Sequence, residues 1–279
     1  MKLNGYKKLL IYTVLIIIAI MTLLPMWWAL ASSFSTDQNI YKNAAPVSWK
    51  AFFPMDFNLD SYIGLFKEFN FQVPILNTLI VSALSIVFGC AVNSVAAFGF
   101  AMFDFKYKNI LYAIVLVSFM VPFEAIAMPL YKVVAGFGLS DTKMGIVIPT
   151  IADGLVLMLF TQFFKDIPMS LIEAARIDGA SYSQVFVKII LPISVPIFIT
   201  AGLMIFVNSW NAFLWPLIIA RTPEARVIQV SLAAFQTERA TLWSYLFAAT
   251  SLSAIIPLAL FLPFQKYYVE GMTSSGIKG

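Results

Sequence analysis

The chain contains no histidine and a single cysteine, Cys90, in 279 residues. Without histidine, a His-ligated metal site, a Ser-His triad and an imidazole proton relay are excluded. One cysteine cannot close an internal disulfide or form a paired-cysteine site. Set in an apolar run, Cys90 reads as a small packing residue. Charge is scarce as well. Asp, Glu, Lys and Arg make up 11% of the chain, where a soluble domain carries about 25%. Too few charges are present to build the polar shell that a soluble fold of this size needs. What abounds is apolar: 61% hydrophobic residues, with 26 Phe and 6 Trp, and a mean hydropathy of +0.87. That composition excludes disorder and makes the bilayer the natural solvent. The net charge of +4 would suggest nucleic acid only if the basic residues clustered, and they are spread along the chain. No nucleic-acid partner is expected.

Six stretches are long and apolar enough to cross a membrane: residues 9–31, 74–102, 110–131, 145–164, 186–215 and 245–264. The first imitates a signal peptide, with Lys2, Lys7 and Lys8 ahead of it and Ala29-Leu30-Ala31 before Ser32. Its apolar run exceeds the usual h-region of about 7–15 residues, so an uncleaved first span is expected. With the N-terminus inside, ten Lys and Arg fall on inner segments and eight on outer ones. The outer loops are longer in total, so the density favours this orientation. Six spans return the C-terminus to the cytoplasmic side. The chain thus reads as all-α, a single polytopic domain over residues 1–279.

Close packing rather than hydrophobic exclusion joins helices in lipid. The second span carries Ser85, Gly89, Ala97 and Ala101 on one four-residue row, with Asn93 among them. This row fits packing within the chain better than a dimer seam. Pro25, Pro122, Pro129, Pro149, Pro192, Pro196 and Pro257 interrupt spans. Each removes one backbone bond and can bend a helix, whether in a rocking bundle or in a static one.

The inner loop of residues 165–187 is the most polar stretch of the interior side. Pro168 suits the first turn of a helix. Leu171, Ala174, Ala175 and Ile177 give that helix a small apolar face. Gly179 permits a turn, and Ser181 can cap a second helix. The result is a helix-turn-helix knob carrying Glu173, Arg176 and Asp178, too polar for the bilayer core and too short to fold alone. It needs a groove on another protein.

Glu173-Ala174-Ala175, Asp178-Gly179-Ala180, Phe186, Ile189, Leu191-Pro192 and Pro196 resemble the EAA loop of ABC importer permeases. Further likeness lies in Pro122-Phe123 with Pro129-Leu130, in 138–142, in Trp210-Asn211 with 213–217, and in the tail with Gly271-Met272-Thr273. It covers essentially the whole chain and is closest to the shorter maltose-transporter-like permease of carbohydrate uptake. The resemblance implies the type I importer permease fold: six transmembrane helices and a cytoplasmic coupling helix. It implies that Glu173, Ala174, Ala175 and Gly179 dock on an ATPase, with Arg176, Asp178 and Ala180 beside them. It also implies the partners: a second related permease, two ATP-binding subunits that hold ATP and Mg, an extracellular or periplasmic solute-binding protein, and a carbohydrate substrate; a polyol or glycerol-phosphate solute in the same family, or a secondary transporter needing no ATPase, are the alternative readings. The location it implies is the bacterial plasma membrane. This chain has no phosphate-binding loop of its own; the nearest approach, Gly271 to Gly276, has Ile277 where Lys is needed. No enzymatic activity, cofactor or metal is therefore expected in this chain.

A sugar is read by hydrogen bonds and aromatic faces. Candidates in or near the spans are Asn77, Asn93, Phe123, Glu124, Asp153, Asn208, Trp210 and Asn211. Glu124 and Asp153 are the only acidic residues in the proposed spans, and an ionisable group there is a functional hypothesis by default. Two readings of Glu124 stand: a substrate contact, or a group near the outer end that reaches water or pairs with Lys132. The family often has Gln at this position and an acidic residue at Ala212, so no substrate role is carried over from it. Trp28 and Trp215 read as interfacial anchors. In the outer loop of 216–244, Gln236, Thr237, Glu238 and Arg239 are candidate contacts for the binding protein, or part of a solvated connector.

Overall fold

The computed structural model describes residues 5–54, 57–236 and 241–274, and every regular element among them is helical. In chain order these are α1 (Gly5–Ser32), α2 (Asp37–Ala44), α3 (Asp60–Lys67), α4 (Gln72–Met102), α5 (Lys108–Ser118) and α6 (Phe123–Gly136). There follow α7 (Lys143–Val147), α8 (Gly154–Lys165), α9 (Met169–Ile177), α10 (Tyr182–Val185) and α11 (Leu191–Ile193). The chain ends with α12 (Val195–Trp210), α13 (Leu214–Ile219), α14 (Ile228–Ala233) and α15 (Trp243–Ser274). Two compact units result: Met1–Gln72 with Ser231–Ile256, and Val73–Val230 with Pro257–Gly279.

The first unit is built on aromatic contacts. α1 is apolar all round, and none of its most apolar window is buried. Such a surface is stable only against lipid or another chain. At its C-terminal end, Trp27 Nε1 donates to Phe52 O at 2.9 Å, and the Ser33 and Tyr62 hydroxyls meet at 2.7 Å. Trp28 packs edge-on against Phe247, with ring centroids 5.6 Å apart. Phe69 lies between Phe235 and Tyr245, at 5.1 and 5.0 Å. The Asp37 carboxylate accepts from Ser244 N at 2.7 Å, placing an anion at the start of α15, where the helix dipole favours one.

Three helices, α1, α4 and Trp243–Lys266 of α15, are long and apolar enough to cross a membrane. Three further candidates are bent pairs: α5 with α6 at 93°, Lys143–Thr150 with α8 at 51°, and Tyr182–Ile193 with α12 at 81°. The segments expected at 110–131, 145–164 and 186–215 are therefore not continuous rods. Proline explains where they break. Pro122 precedes α6, Pro149 sits in the 3-10 turn Ile148–Thr150, and Pro192 and Pro196 flank Ser194. Because Pro192 has no N–H, Lys188 O loses its helical donor. The chain widens there into a π-turn, Phe186–Ile190, in which Leu191 N reaches back to Phe186 O. Pro25, Pro129 and Pro257 remain inside α1, α6 and α15, and α15 also accommodates Pro263.

The second unit has two apolar centres, strung along α4. One joins Phe98 and Met102 near its C-terminal end to Phe160, Phe164, Ile172, Val185 and Ile190. The other joins Val81 near its N-terminal end to Ile146, Val147, Trp215, Ile219 and Val227. The small row on α4 serves this packing. Ser85, Gly89 and Ala97 are buried, and a Cβ on Gly89 would lie 2.9 Å from Ile205 Cδ1. Packing within the chain uses the row.

Candidate functional site

The elbow of residues 168–193 is shaped by two helix-end devices. α9 closes in a Schellman motif: Gly179 N donates to Arg176 O at 3.1 Å and Ala180 N to Ala175 O at 2.9 Å. Gly179 supplies the left-handed residue this motif needs, at φ 84. Two residues later Ser181 and Gln184 form a capping box that starts α10.

The apolar face of α9 differs from expectation. Ile172, only 2% exposed, and half-buried Ala175 pack into the cluster around Phe164 and Val185. Leu171, Ala174 and Ile177 point outward, Ile177 with 86% of its surface free. Residues three apart share one helix face, so these three form an outward stripe opposite the buried one. Glu173 and Asp178 are exposed, and neither has an ion-pair partner among the described residues. Arg176 is exposed too, but its side chain makes its contacts within the elbow. Its Nη1 donates to Ala180 O at 2.7 Å, and its guanidinium lies 4.4 Å from the Tyr182 ring centroid. Tyr182 packs on Phe103 at 4.6 Å, and Phe103 packs edge-on against Phe98 at 5.7 Å. The elbow is thus tied to α4 as well as to α8.

A cavity of ≈130 Å³ opens beside the N-terminal half of α4, lined by Ser85, Thr150, Asp153, Asn208, Ser209 and Trp215 together with Val81, Ile146, Ile205 and Ala212. Of the eight candidate sugar contacts, it brings together Asp153 and Asn208. Asp153 Oδ1 caps α8, accepting from Leu155 N at 2.8 Å and Val156 N at 3.1 Å. Its second oxygen has no partner among the described residues. Ser85 stands out in the sequence only as a member of the packing row, and nothing there separates Thr150 and Ser209 from other small residues in apolar runs.

The remaining candidates, Glu124 apart, make their contacts within the fold. Asn93 pins the break before α8: Nδ2 donates to Gly89 O at 2.7 Å and Ile151 O at 2.8 Å, and Oδ1 accepts from Asp153 N at 3.1 Å. Asn77 Nδ2 donates to Glu224 O and Arg226 O, at 2.7 and 2.9 Å. Trp210 is buried against Phe206, and Asn211 bonds back to Val207 O. Phe123 meets Trp215 edge-on at 6.0 Å. Glu124 is exposed in the first turn of α6 and forms no ion pair with Lys132. Trp215 is no interfacial anchor. It is 4% exposed and donates through Nε1 to Gly145 O at 3.1 Å. Gln236 is exposed; Thr237, Glu238 and Arg239 lie outside the described residues.

A strap from Ile219 to Ile228 is fastened from three sides. Asp141 Oδ1 accepts from Arg221 N at 2.6 Å and Thr222 N at 2.9 Å. Asn77 holds the two carbonyls already given, and Thr78 Oγ1 accepts from Ile228 N at 2.8 Å. Asp141 lies between helices, and its carboxyl is held below its ordinary value, foremost by the Thr222 amide.

A multi-span helical protein with a polar elbow outside its apolar rods and a polar cavity within them has the build of a transport subunit. Residues 85–273 match the family described as "Binding-protein-dependent transport system inner membrane component", and the chain belongs to it. Curated relatives agree. The chain is 28% identical to the arabinooligosaccharide transport system permease AraQ of Halalkalibacterium halodurans, over 94% of this chain and 93% of the relative. It is 31% identical to the trehalose permease SugB of Mycobacterium tuberculosis, over 92% and 93%. It is 29% identical to the trehalose/maltose permease MalG of Thermococcus litoralis, over 98% of each. A solved bacterial ABC transporter involved in import of the acidic polysaccharide alginate shares the fold, with a TM-score of 0.81 over 96% of this chain and 99% of that one, at 20% identity. The all-α importer permease fold expected from the sequence is thus the fold observed.

Proposed function

We propose that this chain is the membrane-spanning permease subunit of an ATP-driven importer, and that the solute is a carbohydrate delivered by an extracellular or periplasmic binding protein. It pairs with a second, related permease. Two separate subunits bind ATP and Mg, and both termini of this chain face the cytoplasm. The observation that carries the reading is the elbow: α9 is seated by Ile172 while Leu171, Ala174, Ile177 and Glu173 face outward with nothing to cover them. An apolar stripe rimmed by acids, held rigid by two capping motifs, fits a cleft on another protein. Glu173, Ala174 and Gly179 make the dock, and Ala175, Arg176 and Ala180 keep its shape. Closure of the ATPase subunits moves the elbow, and the elbow moves the bent helices, opening the pathway alternately to each side. The names of the relatives supply the carbohydrate class. The cavity at Asp153 and Asn208 belongs to the pathway, and residues 236–239 meet the binding protein.

The test is Glu173→Arg and Ala174→Trp in the assembled transporter, measuring capture of the ATPase subunit and carbohydrate uptake together. Both should fall by tenfold or more while the permease still inserts. Uptake that persists after the ATPase subunit is lost overturns the mechanism, and so does ATP turnover by the purified chain alone.

A further inference from the structure

The cavity beside α4 carries an arrangement that its overall class does not demand. Three polar groups from three separate elements enter it without a partner among the described residues. They belong to lining residues: the Ser85 hydroxyl on α4, the second carboxylate oxygen of Asp153 at the break before α8, and the Asn208 amide on α12. Thr150 adds a hydroxyl whose proton is already donated to Val147 O at 2.9 Å, leaving it an acceptor. Ser209 stands against Ser82 at 3.2 Å. Ile146, Ile205 and Trp215 supply the apolar wall. A carboxylate oxygen can only accept, an amide both donates and accepts, and a hydroxyl does either. That set matches a ring bearing neighbouring hydroxyls over an apolar face. The charge is one-sided as well: among the described residues, Asp153 is the only ionisable one lining the cavity, and no Lys or Arg lines it.

We propose that this cavity binds an uncharged sugar ring and rejects anionic sugars such as uronates and sugar phosphates, with Asp153 as the charge-selecting residue. The inference rests on the carbohydrate reading given above. Asp153 holds its place because one oxygen caps α8, and Asn93 fixes the backbone beside it. The free oxygen accepts from ligand hydroxyls. A ligand carboxylate or phosphate brought to the same spot meets a like charge at close range, with no Lys or Arg among the described lining residues to offset it. The fold alone does not impose this choice, since the alginate transporter of the same fold is involved in import of an acidic polysaccharide.

The experiment uses the assembled transporter in detergent without the binding protein, so that only the membrane part selects. Radiolabelled maltotriose and trigalacturonate are the probes. Maltotriose should bind at least tenfold tighter. Asp153→Asn keeps the helix cap, since Asn caps as well as Asp, and should bring the two affinities within about threefold, chiefly through gain of trigalacturonate. Asn208→Ala should weaken both probes alike. Ala212→Trp should block both by filling the cavity, with an unchanged elution profile showing that the assembly remains folded. An unchanged preference in Asp153→Asn, a wild-type preference for trigalacturonate, or binding of neither probe overturns the inference. If ATP-driven uptake of a carbohydrate persists in that case, the proposed function stands without it. If no carbohydrate is taken up by the complete system, the proposed function itself fails.

Discussion

The Arg176 guanidinium closes the elbow on itself, donating to Ala180 O at 2.7 Å while its plane lies over Tyr182 at 4.4 Å. Both contacts lie within the elbow, so Arg176, though exposed, shapes the dock. Arg176→Ala removes an exposed cation–aromatic contact of about 0.5–1 kcal/mol and a charged hydrogen bond of about 1.5–3 kcal/mol. The protein should still insert, with uptake reduced several-fold and ATPase capture reduced less. Lys keeps the charge but not the planar stacking, so Arg176→Lys should rescue only part of the uptake. Equal loss of capture and uptake in Arg176→Ala would place Arg176 in the interface after all.

Ile172 and Ile177 make a controlled pair, five residues apart on one helix with opposite exposure. Ile172→Ala empties a filled site and should destabilise the elbow by about 2–5 kcal/mol. Thermal unfolding in detergent should start earlier, and protease should cut near residue 170. Ile177→Ala should leave stability within about 0.5 kcal/mol of the parent yet weaken ATPase capture. Equal thermal shifts in the two variants would contradict the assignment of faces.

The elbow was legible in the sequence because its signals are local. Pro168, Gly179 and Ser181 each act through backbone geometry within a few residues. Which face of α9 is buried was not legible. The four apolar residues considered there lie on both sides of the helix, and only Phe164, Val185 and Ile190, brought in by the fold, select Ile172. The long rods were visible from hydropathy. The bends were visible only as prolines, and nothing local separates Pro122, which stands at a 93° break, from Pro129, which α6 accommodates. Polar residues in apolar runs gave the weakest discrimination. Asn77, Asn93, Asp153 and Asn208 look alike in sequence. The first two have their amides taken up by backbone groups, while Asp153 and Asn208 face open space. Long-range partners decide that difference, as with Glu224 O for Asn77, 147 residues away.

Asn93 joins α4 to the break before α8 through three hydrogen bonds. Asn93→Ala leaves Ile151 O and the Asp153 N–H without their protein partner at a part-buried break. Each such group costs about 1–3 kcal/mol. The unfolding temperature in detergent should drop by several degrees, and sugar binding should weaken with it because Asp153 loses its support. Asn93→Gln, with the same chemistry on a longer arm, should not restore either. Wild-type binding in a clearly destabilised Asn93→Ala would show that the cavity does not depend on this pin.

Asp141 gives the strap a pH dependence whose sign can be worked out. Asp141 has φ 56, in the region that Asp tolerates better than most residues, and its carboxylate accepts from the Thr222 and Arg221 amides. The Thr222 bond is foremost in lowering its pKa below the ordinary value of 3.8, and the Arg221 charge acts in the same direction. A carboxylate whose pKa is depressed in the folded state contributes stability that is complete above the unfolded value. That contribution is lost as pH falls through the folded one. The strap should stay closed from pH 7 down to the ordinary carboxylate range and loosen only below it. Hydrogen exchange at the Thr222 amide, corrected for intrinsic rates, should show protection that fades under acid. Asp141→Asn removes the charge at every pH, so its Thr222 amide should exchange faster at pH 7 and respond little to acid. Matching acid profiles in the parent and Asp141→Asn would assign the loosening to another group.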